Sequence, residues 1–172
     1  MTDGLACECT IPLAWHAATL APEEIQSRVR EAALLLAALN QIESVHELES
    51  SGPENRRLDR IEAKLDLTLH LLARMLESDE SSHTRPAAMN VRLTPGGAQW
   101  HEAAPPSEGT RLIVELRLSE ALPLSLKIPA TALEPQADMA RISFTGLTET
   151  LDEALYQFIF RRHRQAIRAR TA

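Results

Sequence analysis

"RLIVELRL", residues 111–118, sets Leu112, Val114, Leu116 and Leu118 on one side of an extended chain and Glu115 and Arg117 on the other. That period of two is the mark of a half-buried antiparallel strand. "LPLSLKIPATAL", 122–133, repeats it, with Leu124, Leu126 and Ile128 alternating against Ser125 and Lys127, and "ARISF", 140–144, does so again. Upstream, "MNVRL", 89–93, and "AQWHEA", 98–103, flank a Gly-Gly turn. At least five short strands with frequent turns predict a small barrel, which hides the edges that an open sheet would expose. "LTETLDEALYQFIFRRHRQAIRAR", 147–170, closes this half as a helix. Thr148 is placed to cap it, and Leu151, Leu155, Phe158, Ile159 and Ile167 are its expected buried face. Arg161, Arg162, Arg164, Arg168 and Arg170 gather at its C-terminal end, where the helix dipole favours cations.

The first half has a different period. From Pro22-Glu23-Glu24, an opening suited to the positive end of a helix, apolar residues recur at Ile25, Val29, Leu35, Leu39, Ile42, Val45 and Leu48. The pattern predicts one long amphipathic helix or two short ones, broken at Gly52-Pro53. A further helix is expected from Glu54 to about Glu77, with Leu58, Ile61, Leu65, Leu72 and Met75 at heptad a and d positions and Thr68 between them. Leu69, Leu71 and Leu76 widen the stripe beyond what one partner helix would cover. Arg57, Asp59, Arg60, Glu62, Lys64 and Asp66 supply a charged outer face. Such a stripe either packs on the chain's own core or assembles several chains. Because the second half is able to close its own core, assembly of several chains is expected, through Leu58, Ile61, Leu65, Thr68, Leu72 and Met75. "SDESSHTRP", 78–86, is a polar linker. The expected organisation is a tail over 1–21, a helical oligomerisation region over 22–77, a linker over 78–88 and an α+β barrel with its C-terminal helix over 89–172.

"RLTPGGAQW", 92–100, then "GTRLIVELRL", "LPLSLKIPATAL" and "ARISFTGLTETLDEALYQFIFRRHRQAIR" follow in an order that resembles the PilZ domain family of bacterial cyclic di-GMP receptors. The resemblance runs from about Met89 to Arg170. It implies a six-stranded antiparallel barrel with a C-terminal helix. It also implies two ligand motifs. One is an RxxxR arginine pair before the barrel that grips phosphate and stacks on guanine. The other is [D/N]xSxxG, in which a short polar side chain and a glycine turn let the backbone approach the ligand. The second motif falls on Arg92, Thr94 and Gly97: the glycine matches, threonine stands in for serine, and a long cation replaces the acid or amide. Arg56 and Arg60 have the RxxxR spacing but lie on the heptad helix about thirty residues upstream, and the linker offers only Arg85. The implied clamp is therefore degenerate, and no cofactor is expected. The resemblance extends to atypical members whose heptad helix assembles several barrels into a tetramer, so the expected partners are further copies of this chain and a protein of unspecified identity. The rival reading is a working cyclic di-GMP receptor completed by Arg56 or Arg60 of a neighbouring subunit.

The rest of the sequence narrows the classes. A net charge of −6 makes the whole chain a poor match for nucleic acid, leaving the C-terminal arginines as helix-end charge before they are a contact for nucleic acid or anionic lipid. Tyr156, Phe158 and Phe160 recur at helical spacing and are expected in the core. Cys7 and Cys9 lie too close together to staple a fold, so they point to a reducing, cytoplasmic setting and to a flexible tail rather than a metal or redox pair. Neither a leader nor eighteen consecutive apolar residues occurs, so no membrane span is expected. The six histidines are scattered singly, which argues against a metal site. No serine stands in a nucleophile context such as GxSxG, and no enzyme is expected.

Overall fold

The computed structural model describes residues 5–47, 61, 64, 65, 68, 86–119 and 125–171. Six strands, β1 (Cys7–Ala17), β2 (Ala88–Thr94), β3 (Gly97–His101), β4 (Arg111–Leu116), β5 (Leu126–Ala132) and β6 (Met139–Phe144), form a closed antiparallel barrel. Their order around it is β1-β2-β3-β6-β5-β4. Among the described residues, the long helices α1 (Pro22–Glu47) and α2 (Glu149–Thr171) accompany the strands. No helix among the described residues is long and apolar enough to cross a membrane, which says nothing of membrane-spanning strands.

The expected tail over 1–21 is corrected here, because Cys7–Ala17 is the strand that closes the barrel. Its first half pairs with β2, from Cys7↔Leu93 to Pro12↔Ala88, and its second half with β4, from Leu13↔Leu116 to Ala17↔Leu112. Pro12 stands where the strand changes neighbours, and there its missing N–H interrupts no continuous ladder. Its carbonyl accepts from the Arg117 N–H at 3.1 Å. The signal was present in "CECTIPLAWHA". Cys7, Cys9, Ile11, Leu13 and Trp15 alternate with Glu8, Thr10, Pro12, Ala14 and His16. The proline and the roughly seventy residues between β1 and β2 hid it.

Inward-facing Val91, Leu93, Trp100, Leu112, Val114, Leu116, Ile128 and Ile142 are almost completely buried. Fully burying a large aliphatic side chain contributes about 1.5–3 kcal/mol, so this one stack dominates the stability of the barrel. Alanines at 98, 130, 132 and 140 leave room among the larger groups on β3, β5 and β6. Leu151, Ala154, Leu155, Phe158 and Ile159 of α2 are buried at the spacing of one helical face, and that helix lies against β1 and β2. Thr148 caps it as expected, its Oγ1 accepting from the Leu151 N–H at 3.3 Å. Three expectations for α2 are overturned: Ile167, Tyr156 and Phe160 are 52%, 48% and 44% exposed.

At the start of α1, the Glu24 carboxylate accepts from the Ala21 N–H at 3.0 Å, which satisfies one donor of the opening turn. Gly146, at φ 71°, sits under this helix, and a Cβ there would lie 2.7 Å from Cγ2 of Ile25. The chain divides into two compact units, one of Met1–Leu36 with Pro86–Ala172 and the other of Ala37–Arg85, so the boundary runs through α1 and not before it. In the second unit Ile61, Lys64, Leu65 and Thr68 are helical and exposed, and Thr68 Oγ1 donates to the Lys64 carbonyl at 2.7 Å. Leu58, Leu72 and Met75, and the arginines at 56, 60 and 85, lie outside the described residues.

The two tryptophans of the chain share one acceptor. Trp15 Nε1 and Trp100 Nε1 both donate to Oε2 of Glu102, at 3.0 and 3.3 Å. Trp100 is fully buried, so without that carboxylate its N–H loses its partner in a dry setting. Glu102→Ala is expected to cost about 1–3 kcal/mol of unfolding free energy and Glu102→Gln less, because the amide oxygen still accepts. Denaturant midpoints followed by tryptophan emission measure both. Equal stability of wild type and Glu102→Ala would show that the indoles do not depend on Glu102.

Candidate functional site: the β2–β3 hairpin and the thiol pair

Arg92, Thr94 and Gly97 are brought together by the tightest turn of the barrel. Thr94 pairs with Gly97 across the hairpin and Pro95-Gly96 span it, proline fixing the φ of the first turn position. Thr94 Oγ1 donates to the Gly97 carbonyl at 3.0 Å, closing the turn with its own hydroxyl. Gly97 is buried between β2 and β6, in register with Thr94 on one side and Ser143 on the other. A Cβ there would strike the Ile142 carbonyl oxygen, with Ser143 Cα at 3.3 Å. The glycine is thus required by the close approach of two strands.

Arg92 points out of the barrel because Val91 and Leu93 point in. Its guanidinium lies 3.8 Å from the Glu8 carboxylate, its register partner on β1, with both side chains substantially exposed. Such a surface pair contributes roughly 0–1 kcal/mol, so it orients Arg92 more than it stabilises the fold. On the other side Arg92 is in register with Gln99, and Gln99 with Arg141. Glu8, Arg92, Gln99 and Arg141 thus form one outward row across β1, β2, β3 and β6. Arg141 was not singled out from the sequence. Only the β3–β6 register relates it to Arg92, and that pairing joins segments some forty residues apart.

The second cluster is the thiol pair, which lies in β1 and not in a flexible tail. Cys7 and Cys9 are two residues apart on the inward side of the strand, Cys7 buried and Cys9 half-buried. A hydrogen bond between them pushes the Cys7 thiol well above its ordinary range, and burial adds to the effect. The same bond lowers Cys9, burial opposes this, and the Arg162 guanidinium on α2 assists it. Cys9 Sγ also donates to the Val91 carbonyl at 3.6 Å, and Arg162 donates to the Leu118 carbonyl at 3.2 Å. Among the described residues no three histidines, cysteines or carboxylates are grouped to hold a metal ion.

A closed six-stranded antiparallel barrel with this hairpin and a capped C-terminal helix is the architecture that the resemblance to PilZ domains implied. The chain matches the family described as "Atypical PilZ domain, cyclic di-GMP receptor" over residues 34–171, and it belongs to that family. The match begins beyond β1. A solved structure from Xanthomonas campestris is similar over nearly the whole length, with 30% identity, 97% of this chain and 92% of that chain covered, and a TM-score of 0.71. That protein is described as a new tetrameric PilZ domain self-assembled via an unusual helical bundle. No curated protein matches the chain.

Proposed function

We propose that this protein is a cytoplasmic, non-enzymatic signalling scaffold. On this reading the heptad helix gathers several atypical PilZ barrels and presents them to a protein partner, and the cyclic di-GMP site is largely lost. The observation that carries the reading is the engagement of the hairpin residues within the barrel itself. Thr94 bonds across its own turn, Gly97 is consumed by strand packing, and Arg92 faces Glu8. A cyclic dinucleotide needs acceptors for guanine and a paired arginine clamp for phosphate, and these side chains do not fit that role. Assembly is supported by Ile61 and Leu65, which are spaced four apart on one helical stripe and are 52% and 57% exposed in the single chain. It is supported too by the tetrameric, helical-bundle description of the Xanthomonas relative.

Sedimentation equilibrium of the full chain tests the assembly half. The expected mass is about four times the 19.0 kDa of one chain, since a stripe this wide needs several helices to cover it. A mass of one chain at micromolar concentration would remove the scaffold.

One observation favours the receptor reading. Arg92, Gln99 and Arg141 share an outward row, which would offer two guanidinium groups and an amide to a dinucleotide, and the family description names cyclic di-GMP. The neighbouring subunit would then contribute Arg56 or Arg60 to the clamp.

A further inference from the structure

α2 carries a second, outward stripe of exposed residues. Tyr156 and Phe160 stack on one another one turn apart, with centroids 6.3 Å apart and planes within 6°. The Arg164 guanidinium continues the ladder at 5.8 Å from the Phe160 ring, and Ile167 extends it by another turn. From Tyr156 to Ile167 the stripe runs about 16 Å along the helix. Exposed large apolar groups grouped in this way mark interaction sites, whereas single ones do not. Rings held against each other and against an arginine are ordered in advance, so little side-chain freedom is lost when something docks on them.

The charge of the stripe specifies what docks. Between Tyr156 and Arg170 stand five arginines and no acidic residue, in a chain whose net charge is −6. A second copy docking in parallel would set these arginines against their counterparts, and an antiparallel one would bring only Glu149, Asp152 and Glu153 against the five. An anionic membrane would have to attract a net negative chain through three exposed apolar side chains. An acidic amphipathic helix meets neither objection: its apolar side chains cover Tyr156, Phe160 and Ile167, and flanking carboxylates reach Arg164 and Arg168. We infer that the Tyr156–Phe160–Arg164–Ile167 face of α2 is a docking surface for an acidic amphipathic helix of another protein. This rests on the scaffold reading above and supplies the face by which each barrel would take its partner.

The test is selection of displayed random 16-residue peptides on the full chain, followed by anisotropy titration of a selected peptide. The expected pools are rich in Asp and Glu beside apolar residues spaced three and four apart. Binding should fall at least about ten-fold for Tyr156→Ala with Phe160→Ala. It should also fall for Arg164→Glu with Arg168→Glu, whose helix content is checked by circular dichroism and which should instead accept Lys-rich peptides. Pools without acidic enrichment, or equal binding by the aromatic variant, would overturn the inference. So would phosphatidylglycerol vesicles bound in preference to the peptides, or an aromatic variant whose assembled mass falls. The scaffold reading fails separately. If Ile61→Glu with Leu65→Glu keeps the wild-type mass, assembly through that stripe is wrong, while peptide binding per chain still decides the docking surface.

Discussion

Gly97→Ala is expected to lower the midpoint of thermal unfolding by roughly 10 °C, corresponding to about 3 kcal/mol in a domain of this size, with no ligand present. The added methyl group meets the Ile142 carbonyl oxygen, which is backbone held in the β3–β6 ladder and cannot swing aside. Relief requires β3 to part from β6. That strains the Gly97↔Ser143 pair and the neighbouring bond from the Phe144 N–H to the Gly96 carbonyl at 2.9 Å. Gly96→Ala is the control. No atom lies within 4 Å of a Cβ there, and its φ is outside the left-handed region, so a change of under about 2 °C is expected. Calorimetric melting of the two variants separates a glycine kept for strand packing from one kept for a ligand. If both melt with wild type, the packing account of Gly97 is wrong.

Ile61→Glu combined with Leu65→Glu is expected to reduce the assembly to single chains at micromolar concentration. Both side chains are more than half exposed within one chain, so the substitutions remove little burial from the isolated fold. In an assembled bundle each copy would place two carboxylates in an apolar seam. Burying an unpaired carboxylate costs several kcal/mol, and the cost recurs in every chain. The variant should keep its barrel, shown by wild-type tryptophan emission from Trp15 and Trp100 around Glu102, while its sedimentation mass falls to that of one chain. Retention of the wild-type mass would place the assembly interface elsewhere.

The barrel was legible where alternation was clean. β4, β5 and β6 each put Leu, Ile, Val, Ala or Phe at every second position, and the structure buries those positions. β1 escaped because its meaning depends on partners far along the chain. Pro12 reads as a break until β2 and β4 are seen to divide the strand between them. In α2 the helix and its buried face through Leu151, Leu155, Phe158 and Ile159 were clear, but the limits of that face were not. Leu155 and Ile159 are core, whereas Tyr156 and Phe160, each one residue later and so about 100° around the helix, face out. Aromatic residues at helical spacing suggest a core until the true buried stripe is known. At the hairpin, the arginine at position 92, where the resemblance implies an acid or amide, was visible in sequence. The reason Gly97 persists is the proximity of Ile142, which only the fold supplies.

Calorimetric titration of the 172-residue chain with cyclic di-GMP tests the central claim most directly. With Thr94 bonded within its turn, Gly97 packed against β6 and Arg92 paired with Glu8, no heat of binding is expected up to high ligand concentration. Micromolar or tighter binding that is lost in an Arg56→Ala, Arg60→Ala variant would contradict the account and make the protein a receptor whose site is completed between chains.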